Sequence, residues 1–179
     1  MSNLSNPATG AGGTAADYTR AILDLLGDRD PIDILRASAV RLRERVSATD
    51  GSLLLTPEAE GKWSVVEIVR HLADSEIAWA WRLRLVLAED EPQLTPYDQD
   101  AWATRLGYRR ETFEDAMELF EVNRSANLRL LDRLAEADYE RTGVHLERGA
   151  QSVRHMIAMQ AGHDLAHLRQ VDRVLRALS

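Results

Sequence analysis

The sequence predicts an all-α protein built as a four-helix bundle, with a short extra helix on its N-terminal side. Four long segments place apolar residues at helical spacing and contain no internal proline. No segment alternates apolar and polar residues for long enough to predict a strand with confidence. The connections between the helical segments are rich in glycine, proline and aspartate, which is typical of loops.

The N-terminal third begins with a small, polar, glycine-rich stretch. Residues 1–13 therefore predict a flexible tail, which leaves residues 14–179 as a single helical domain. A short helix is expected from Thr14 to Leu26. Asp30 and Pro31 then read as the N-cap and first position of a helix that continues to about residue 48.

The next helix has the clearest start in the chain. Ser64 and Glu67 form the pattern of a capping box, in which each side chain satisfies a free backbone N–H of the other residue. This helix is expected to run to about Glu89. The remaining elements are expected as a short helical piece at residues 97–104, a helix at residues 111–136, and a terminal helix from near Gln151.

Composition restricts the classes of function. The formal net charge of −7 and the pI near 5.3 argue against nucleic-acid binding, which needs a basic face. The chain has no cysteine, so a metal ion can be held only by nitrogen and oxygen ligands. No apolar stretch approaches a membrane span and no secretory signal is visible, so a cytoplasmic protein without a membrane partner is expected.

Two histidines on the terminal helix form the most informative pattern. His163 and His167 are four residues apart, which places both imidazoles on one helix face where they can reach one metal ion. The spacing alone is a weak signal, because it arises readily by chance among five histidines. A third histidine, His71, stands in the second turn of the capped helix.

Polar side chains accompany these histidines on both helices. Two glutamines share the face of the terminal pair, and three polar residues share the face of His71; they are Gln160, Gln170, Glu67, Ser75 and Arg82. If the two faces meet in the bundle, three imidazoles converge with coordination positions left open, as in a catalytic metal site.

Other metal motifs fit the sequence poorly. The run from His163 to His167 resembles the zinc-protease motif, but the few residues after it leave no room for a downstream ligand. The Glu-x-x-His pairs of di-iron bundles are absent. His145 and His155 are not expected to join the site, since one lies in a loop and the other lies off the face of His163.

Three motifs together resemble a known family. The runs WSVVEIVRHLADSE, PYDQDAWA and GAQSVRHMIAMQAGHDLAHLRQV are similar to those of the DinB/YfiT-like family, and the match extends from about Asp30 to the C-terminus. The resemblance implies an up-down-down-up bundle, a homodimer, and a metal triad at His71, His163 and His167. The chain departs from many relatives at Met159, where they carry an additional histidine.

The resemblance also implies chemistry. Relatives of this fold include transferases and isomerases that use low-molecular-weight thiols of the bacillithiol, mycothiol or glutathione type. The first expectation is therefore an enzyme that activates such a thiol at a divalent metal, zinc or nickel, for attack on a small-molecule substrate. Arg82 is then a candidate for binding a carboxylate of the thiol, and the other four polar residues are candidate contacts of the histidines or the substrate.

Two alternatives remain open from the sequence. The site could support metal-assisted hydrolysis, for which Glu67 is the only candidate base on the face of His71. The chain could also be a metal-binding or stress-response protein without enzymatic activity.

Overall fold

The computed structural model describes residues 15–179, so the expected tail at residues 1–13 lies outside the described part. The predicted all-α bundle with an extra N-terminal helix is confirmed. The helices are α1 (Ala15–Leu26), α2 (Pro31–Val46), α3 (Val65–Ala88), α4 (Gln99–Arg105), α5 (Phe113–Leu131) and α6 (Val153–Leu178). None of these helices is both long enough and apolar enough to cross a bilayer.

Helices α2, α3, α5 and α6 form the bundle and run up-down-down-up. Helix α6 packs against α1, α2 and α3, while α3 packs mainly against α5 and α6. Two consecutive helices that run in the same direction need a long crossover connection. The segment between α3 and α5 supplies this crossover and carries the short helix α4.

The caps predicted from the sequence set the positions of two bundle helices. The Oγ of Ser64 accepts the backbone N–H of Glu67 at 3.3 Å, and the Glu67 carboxylate accepts the N–H of Ser64 at 2.9 Å. Asp30 caps α2 by accepting the N–H groups of Ile32 and Asp33. The start of α3 is thereby fixed two turns before His71.

A polar layer crosses the middle of the bundle and separates two apolar clusters. One cluster fills the space around Val69, Phe120 and Val171, and the other fills the space around Leu35 and Leu83. The layer between them consists of buried polar residues from all four bundle helices, namely Ser38, Glu76, Arg124, Asn127 and Asp164.

Arg124 lies at the centre of this polar layer. Its guanidinium donates to both oxygens of Asp164, at 2.6 and 3.0 Å, and to Glu76 at 2.8 Å. Asn127 donates to the other oxygen of Glu76 at 2.9 Å, and Ser38 bonds to Asp164. Because every charge in the layer has a partner, the layer fixes the axial positions of the four helices relative to one another.

A small three-stranded sheet, which the sequence does not predict, covers one end of the bundle. Strands β2 (Thr142–His145) and β3 (Gly149–Ser152) form an antiparallel hairpin, and β1 (Gln93–Leu94) pairs with β2 in parallel. Strands of two to four residues are too short to show an alternating pattern, which explains why they escape detection. Gly149 closes the hairpin turn with φ of +74°.

Several helix limits also differ from the expectation. Helix α5 was expected at residues 111–136, but Thr112 caps its start and the helix ends at Leu131. A separate 3-10 turn, Glu136–Glu140, follows it. Helix α6 begins two residues later than expected, because residues 149–152 are taken up by β3 and Ser152 acts as the N-cap.

Candidate metal centre and its pocket

Three histidines from two bundle helices meet inside the bundle. The Nε2 atom of His163 lies 3.1 Å from the Nε2 of His71 and 3.1 Å from the Nε2 of His167. One ring nitrogen from each histidine lies within 4.8 Å of the other two. The three residues selected from the sequence are therefore brought together, although they lie up to 96 positions apart in the chain.

Burial keeps these imidazoles neutral. Burial is the main reason why the pKa values of His71 and His163 lie well below 6.5, and the neighbouring histidines lower them further. Burial also lowers the pKa of His167 to about 4, although its hydrogen bond to Gln170 opposes the shift. At neutral pH all three rings are uncharged and offer lone pairs to a cation.

Two of the three nitrogen separations match those expected on one divalent ion. Zn–N bonds are about 2.0–2.1 Å long, so two imidazole nitrogens on one ion lie about 2.8–3.4 Å apart at coordination angles of about 90–110°. The two Nε2 separations of 3.1 Å fall within this range. Three neutral imidazoles suit zinc or nickel, and a set of three ligands leaves positions open for a substrate.

Gln170 holds His167 in the tautomer that metal binding requires. The Nδ1 of His167 lies 2.8 Å from the Oε1 of Gln170, so the ring donates its Nδ1 proton to the amide oxygen. The Nε2 lone pair of His167 then faces the other two histidines. Gln170 is thus in direct contact with the cluster, as the sequence pattern suggests for a residue one turn further along α6.

Gln160 and Glu67, also selected from the sequence, form their hydrogen bonds with groups other than the three histidines. Gln160 donates to Glu76 at 2.8 Å and joins the polar layer to the pocket described below. Both carboxylate oxygens of Glu67 are engaged, one by the backbone of Ser64 and one by Arg109 at 2.9 Å. Glu67 therefore supports the start of α3, and it does not line the pocket described below.

A pocket of about 90 Å³ opens beside His71 and His163. Ser75 and Arg82, both selected from the sequence, line this pocket. Its remaining lining residues are Tyr18, Trp79, Tyr97, Gln99, Arg148, Gln151, Met156, Met159 and Gln160. No aspartate or glutamate of residues 15–179 contributes to the lining.

Arg148 is the most informative of these residues, and no pattern in the sequence indicates it. It lies in the turn between β2 and β3, and the hairpin carries it to the pocket together with Gln151. Helical periodicity gives no signal for a residue in a tight turn. Only the recognition of the Gly149 turn could have placed it near the start of α6.

His145 and His155 stay outside the cluster, as expected. His145 is buried, and its Nδ1 accepts the backbone N–H of Glu147 at 3.2 Å. Burial, with Arg148 and Arg82 as further causes, lowers the pKa of His145 to about 3. His145 is therefore a neutral structural histidine at the turn end of the hairpin.

Comparison with known proteins places this site in a family. The family model of the DinB superfamily matches residues 34–171, more than half of the chain. The chain belongs to the DinB superfamily. The matched region contains all three clustered histidines and the hairpin with Arg148, whereas α1 and Tyr18 lie outside it.

Relatives within the DinB superfamily carry names that refer to metal chemistry. A protein of Oceanobacillus iheyensis named "putative metal-dependent hydrolase" is 32% identical over 130 residues, which cover 73% of this chain and 75% of the relative. "Putative metal-dependent hydrolase YfiT" of Bacillus subtilis is 25% identical, over 79% of this chain and 82% of the relative.

A solved structure shares the fold of this DinB superfamily member. The structure of YfiT from Bacillus subtilis, described as "a probable metal-dependent hydrolase with an unusual four-helix bundle topology", superposes with a TM-score of 0.77. The alignment covers 99% of this chain and 98% of YfiT at 22% identity. At this identity the similarity establishes the fold of the chain.

Proposed function

We propose that this chain is a metal-dependent enzyme whose His71, His163 and His167 hold one divalent ion, zinc or nickel. The observation that carries the proposal is the convergence of three neutral Nε2 atoms, two of them 3.1 Å from the third, beside an open pocket. The metal dependence is also supported by the chain's membership of the DinB superfamily and by the names of its relatives.

The proposed reaction is the transfer or isomerisation of a small electrophile by a low-molecular-weight thiol of the bacillithiol, mycothiol or glutathione type. A divalent ion in this position lowers the pKa of a thiol or of water, which makes either a better nucleophile at neutral pH. A thiol supplied by a co-substrate suits a chain that has no cysteine of its own. The described lining of the pocket contains no carboxylate, so the ion would have to promote loss of the proton from the nucleophile.

The residues around the histidines have defined tasks in this proposal. Gln170 orients the ring of His167. The polar layer fixes the axial positions of α3 and α6, the two helices that carry the histidines. Trp79, Met156 and Met159 form the apolar part of the pocket and limit the access of water. The thiol would release its proton to water, and its sulfur would form a bond to the electrophilic carbon. The bond from that carbon to the leaving group would break, and the leaving group would take the electron pair and depart toward the open side of the pocket.

Hydrolysis is the second candidate, and the names of the relatives favour it. Water would then replace the thiol as nucleophile. Glu67, the candidate base for this reaction, has both oxygens in hydrogen bonds and does not line the pocket. A hydrolase built on this site would have to generate the nucleophile without a carboxylate from the described lining of the pocket.

Thermal unfolding in the presence of ligands tests the proposal. The metal-loaded protein is mixed with bacillithiol, mycothiol or glutathione, each followed by assay with a haloaromatic electrophile. We expect one thiol to raise the Tm and to support turnover, and both effects to disappear in His163→Ala. The matched control is His155→Ala, which removes a histidine of α6 outside the cluster.

The alternative outcomes are equally clear. If none of the three thiols changes the Tm and the protein cleaves ester or amide substrates, the thiol-transferase proposal is contradicted and hydrolysis is supported. Bound metal without turnover of either substrate class would contradict the enzymatic proposal and favour a metal-binding protein.

A further inference from the structure

Two arginines from distant parts of the chain line the same pocket. Arg82 lies on α3, three turns beyond His71, and Arg148 lies in the β2–β3 turn. The Arg82 guanidinium donates twice to the backbone oxygen of Thr95 and lies over the ring of Tyr97 at 5.5 Å. Its planar group is therefore held in place by contacts that include no carboxylate.

Neither Arg82 nor Arg148 forms an ion pair with a carboxylate of residues 15–179, although the exposed Glu147 attracts both charges from a distance. No ion pair of Arg82 or Arg148 exists in this part of the chain, and the buried Nε of Arg148 has no hydrogen-bond partner there. Arg124 provides the contrast, because two carboxylates compensate its buried charge. A half-buried cation without a partner destabilises a fold, so its presence at a pocket indicates a ligand of opposite charge.

The electrostatics of the pocket agree with this interpretation. Burial, and then the proximity of Arg148, lower the pKa of Arg82 to about 10. Burial also lowers the pKa of Arg148. Both groups remain cationic at neutral pH, and an anion placed between them would relieve their repulsion.

The other polar groups of the pocket can serve as hydrogen-bond donors. Burial raises the pKa of the Tyr18 hydroxyl to about 12 and also raises the pKa of Tyr97, so both hydroxyls keep their protons. The amides of Gln99 and Gln151 add further N–H groups. A lining of cations and neutral donors matches an oxyanion.

We propose that Arg82 and Arg148 bind a carboxylate of the substrate or co-substrate, while its reacting end faces His71 and His163. The proposal rests on the proposed function and names the substrate class of that site. Arg82 follows His71 by eleven residues, which corresponds to about 16 Å along α3, and the side chain covers part of this distance. The ligand is therefore a molecule whose carboxylate lies several bonds from its reacting atom.

A matched pair of thiols tests this inference. We compare 6-mercaptohexanoate with 6-mercaptohexan-1-ol, which have the same length and differ in charge, by calorimetric titration of the zinc-loaded protein. We expect the acid to bind about tenfold more tightly or better, because it gains charge-assisted hydrogen bonds. Arg148→Met should abolish this preference and leave the affinity for the alcohol unchanged.

Control variants separate binding from folding. Arg154→Met removes an exposed arginine of α6 that pairs with Glu136 and Glu140 and does not line the pocket, so it should keep the preference for the acid. Arg148→Met should raise the Tm, since it removes an unpaired charge. Arg82→Lys keeps the charge without the planar fork and should lose part of the preference.

The outcomes distinguish this inference from the proposed function. Equal affinity for the acid and the alcohol, or a preference that survives Arg148→Met, would overturn the carboxylate site. If neither thiol binds through sulfur, the metal-free protein is titrated with hexanoate and hexan-1-ol. Binding of hexanoate that depends on Arg148 would then support the carboxylate site although the thiol reaction fails, and no binding would overturn it.

Discussion

Gln170 illustrates how a single side chain prepares the site. Its amide oxygen lies 2.8 Å from the Nδ1 of His167 and selects the ring tautomer whose Nε2 faces the cluster. By contrast, the Nδ1 atoms of His71 and His163 are buried without a partner in the described part of the chain. The orientation of His167 therefore depends on one hydrogen bond.

We expect Gln170→Leu to weaken zinc binding about 10–100-fold, since loss of such a partner has this effect at other metal sites. Titration against a fluorescent chelator measures the affinity. Gln93→Leu, an exposed position on β1, is the control and should bind zinc as the wild type does. Unchanged affinity in Gln170→Leu would show that the tautomer is fixed in another way.

His145 makes the stability of the protein depend on pH. Its pKa falls from 6.5 to about 3, mainly through burial, so between these values the unfolded chain binds a proton that the folded chain does not. The stabilising contribution of the neutral ring is complete above pH 6.5. It is lost progressively as the pH falls toward 3.

We expect the free energy of unfolding to fall less in His145→Gln than in the wild type as the pH is lowered from 7 to 5. Glutamine does not titrate, and its amide oxygen can accept the N–H of Glu147 that His145 accepts. Urea unfolding of both proteins, stripped of metal, measures the difference. Parallel losses of unfolding free energy in the two proteins would rule out His145 as a source of the dependence.

At the scale of elements, the polar layer decides how the bundle helices align. Arg124→Met should lower the free energy of unfolding by about 3–5 kcal/mol, because Glu76 and Asp164 would remain buried without their cation. Urea unfolding at neutral pH measures this loss. Arg36→Met breaks an exposed pair with Asp132 and should change stability by about 1 kcal/mol or less. Similar effects of the two variants would contradict the role of the layer.

The contact between α1 and α6 depends on a glycine. A Cβ at Gly162 would lie 2.4 Å from the backbone oxygen of Ile22, so only glycine lets the two helices approach this closely. Gly162→Ala should cost about 1–3 kcal/mol in unfolding free energy, measured by urea titration, as α1 moves away. At Gly51 an added Cβ meets nothing within 4 Å, so Gly51→Ala should be close to neutral. A neutral Gly162→Ala would show that α1 is loosely packed.

On the scale of the whole molecule, the long helices and their caps were predictable from local signals. Ser64 and Glu67 mark the start of α3 in the sequence, and the pattern of His71, His163 and His167 needs only helix geometry and a bundle to converge. Arg148 was not predictable, because a three-residue turn joins two very short strands and no periodic signal locates it. The homodimer implied by the family resemblance stays a prediction.

The central claim is that three histidines of one chain bind one divalent ion. X-ray absorption at the zinc K-edge, combined with metal analysis of the same sample, tests it most directly. We predict one zinc per chain with three imidazole nitrogens at about 2.0–2.1 Å, and loss of the bound zinc in His163→Ala. A zinc shell with one imidazole or none, or full zinc occupancy in His163→Ala, would contradict the account.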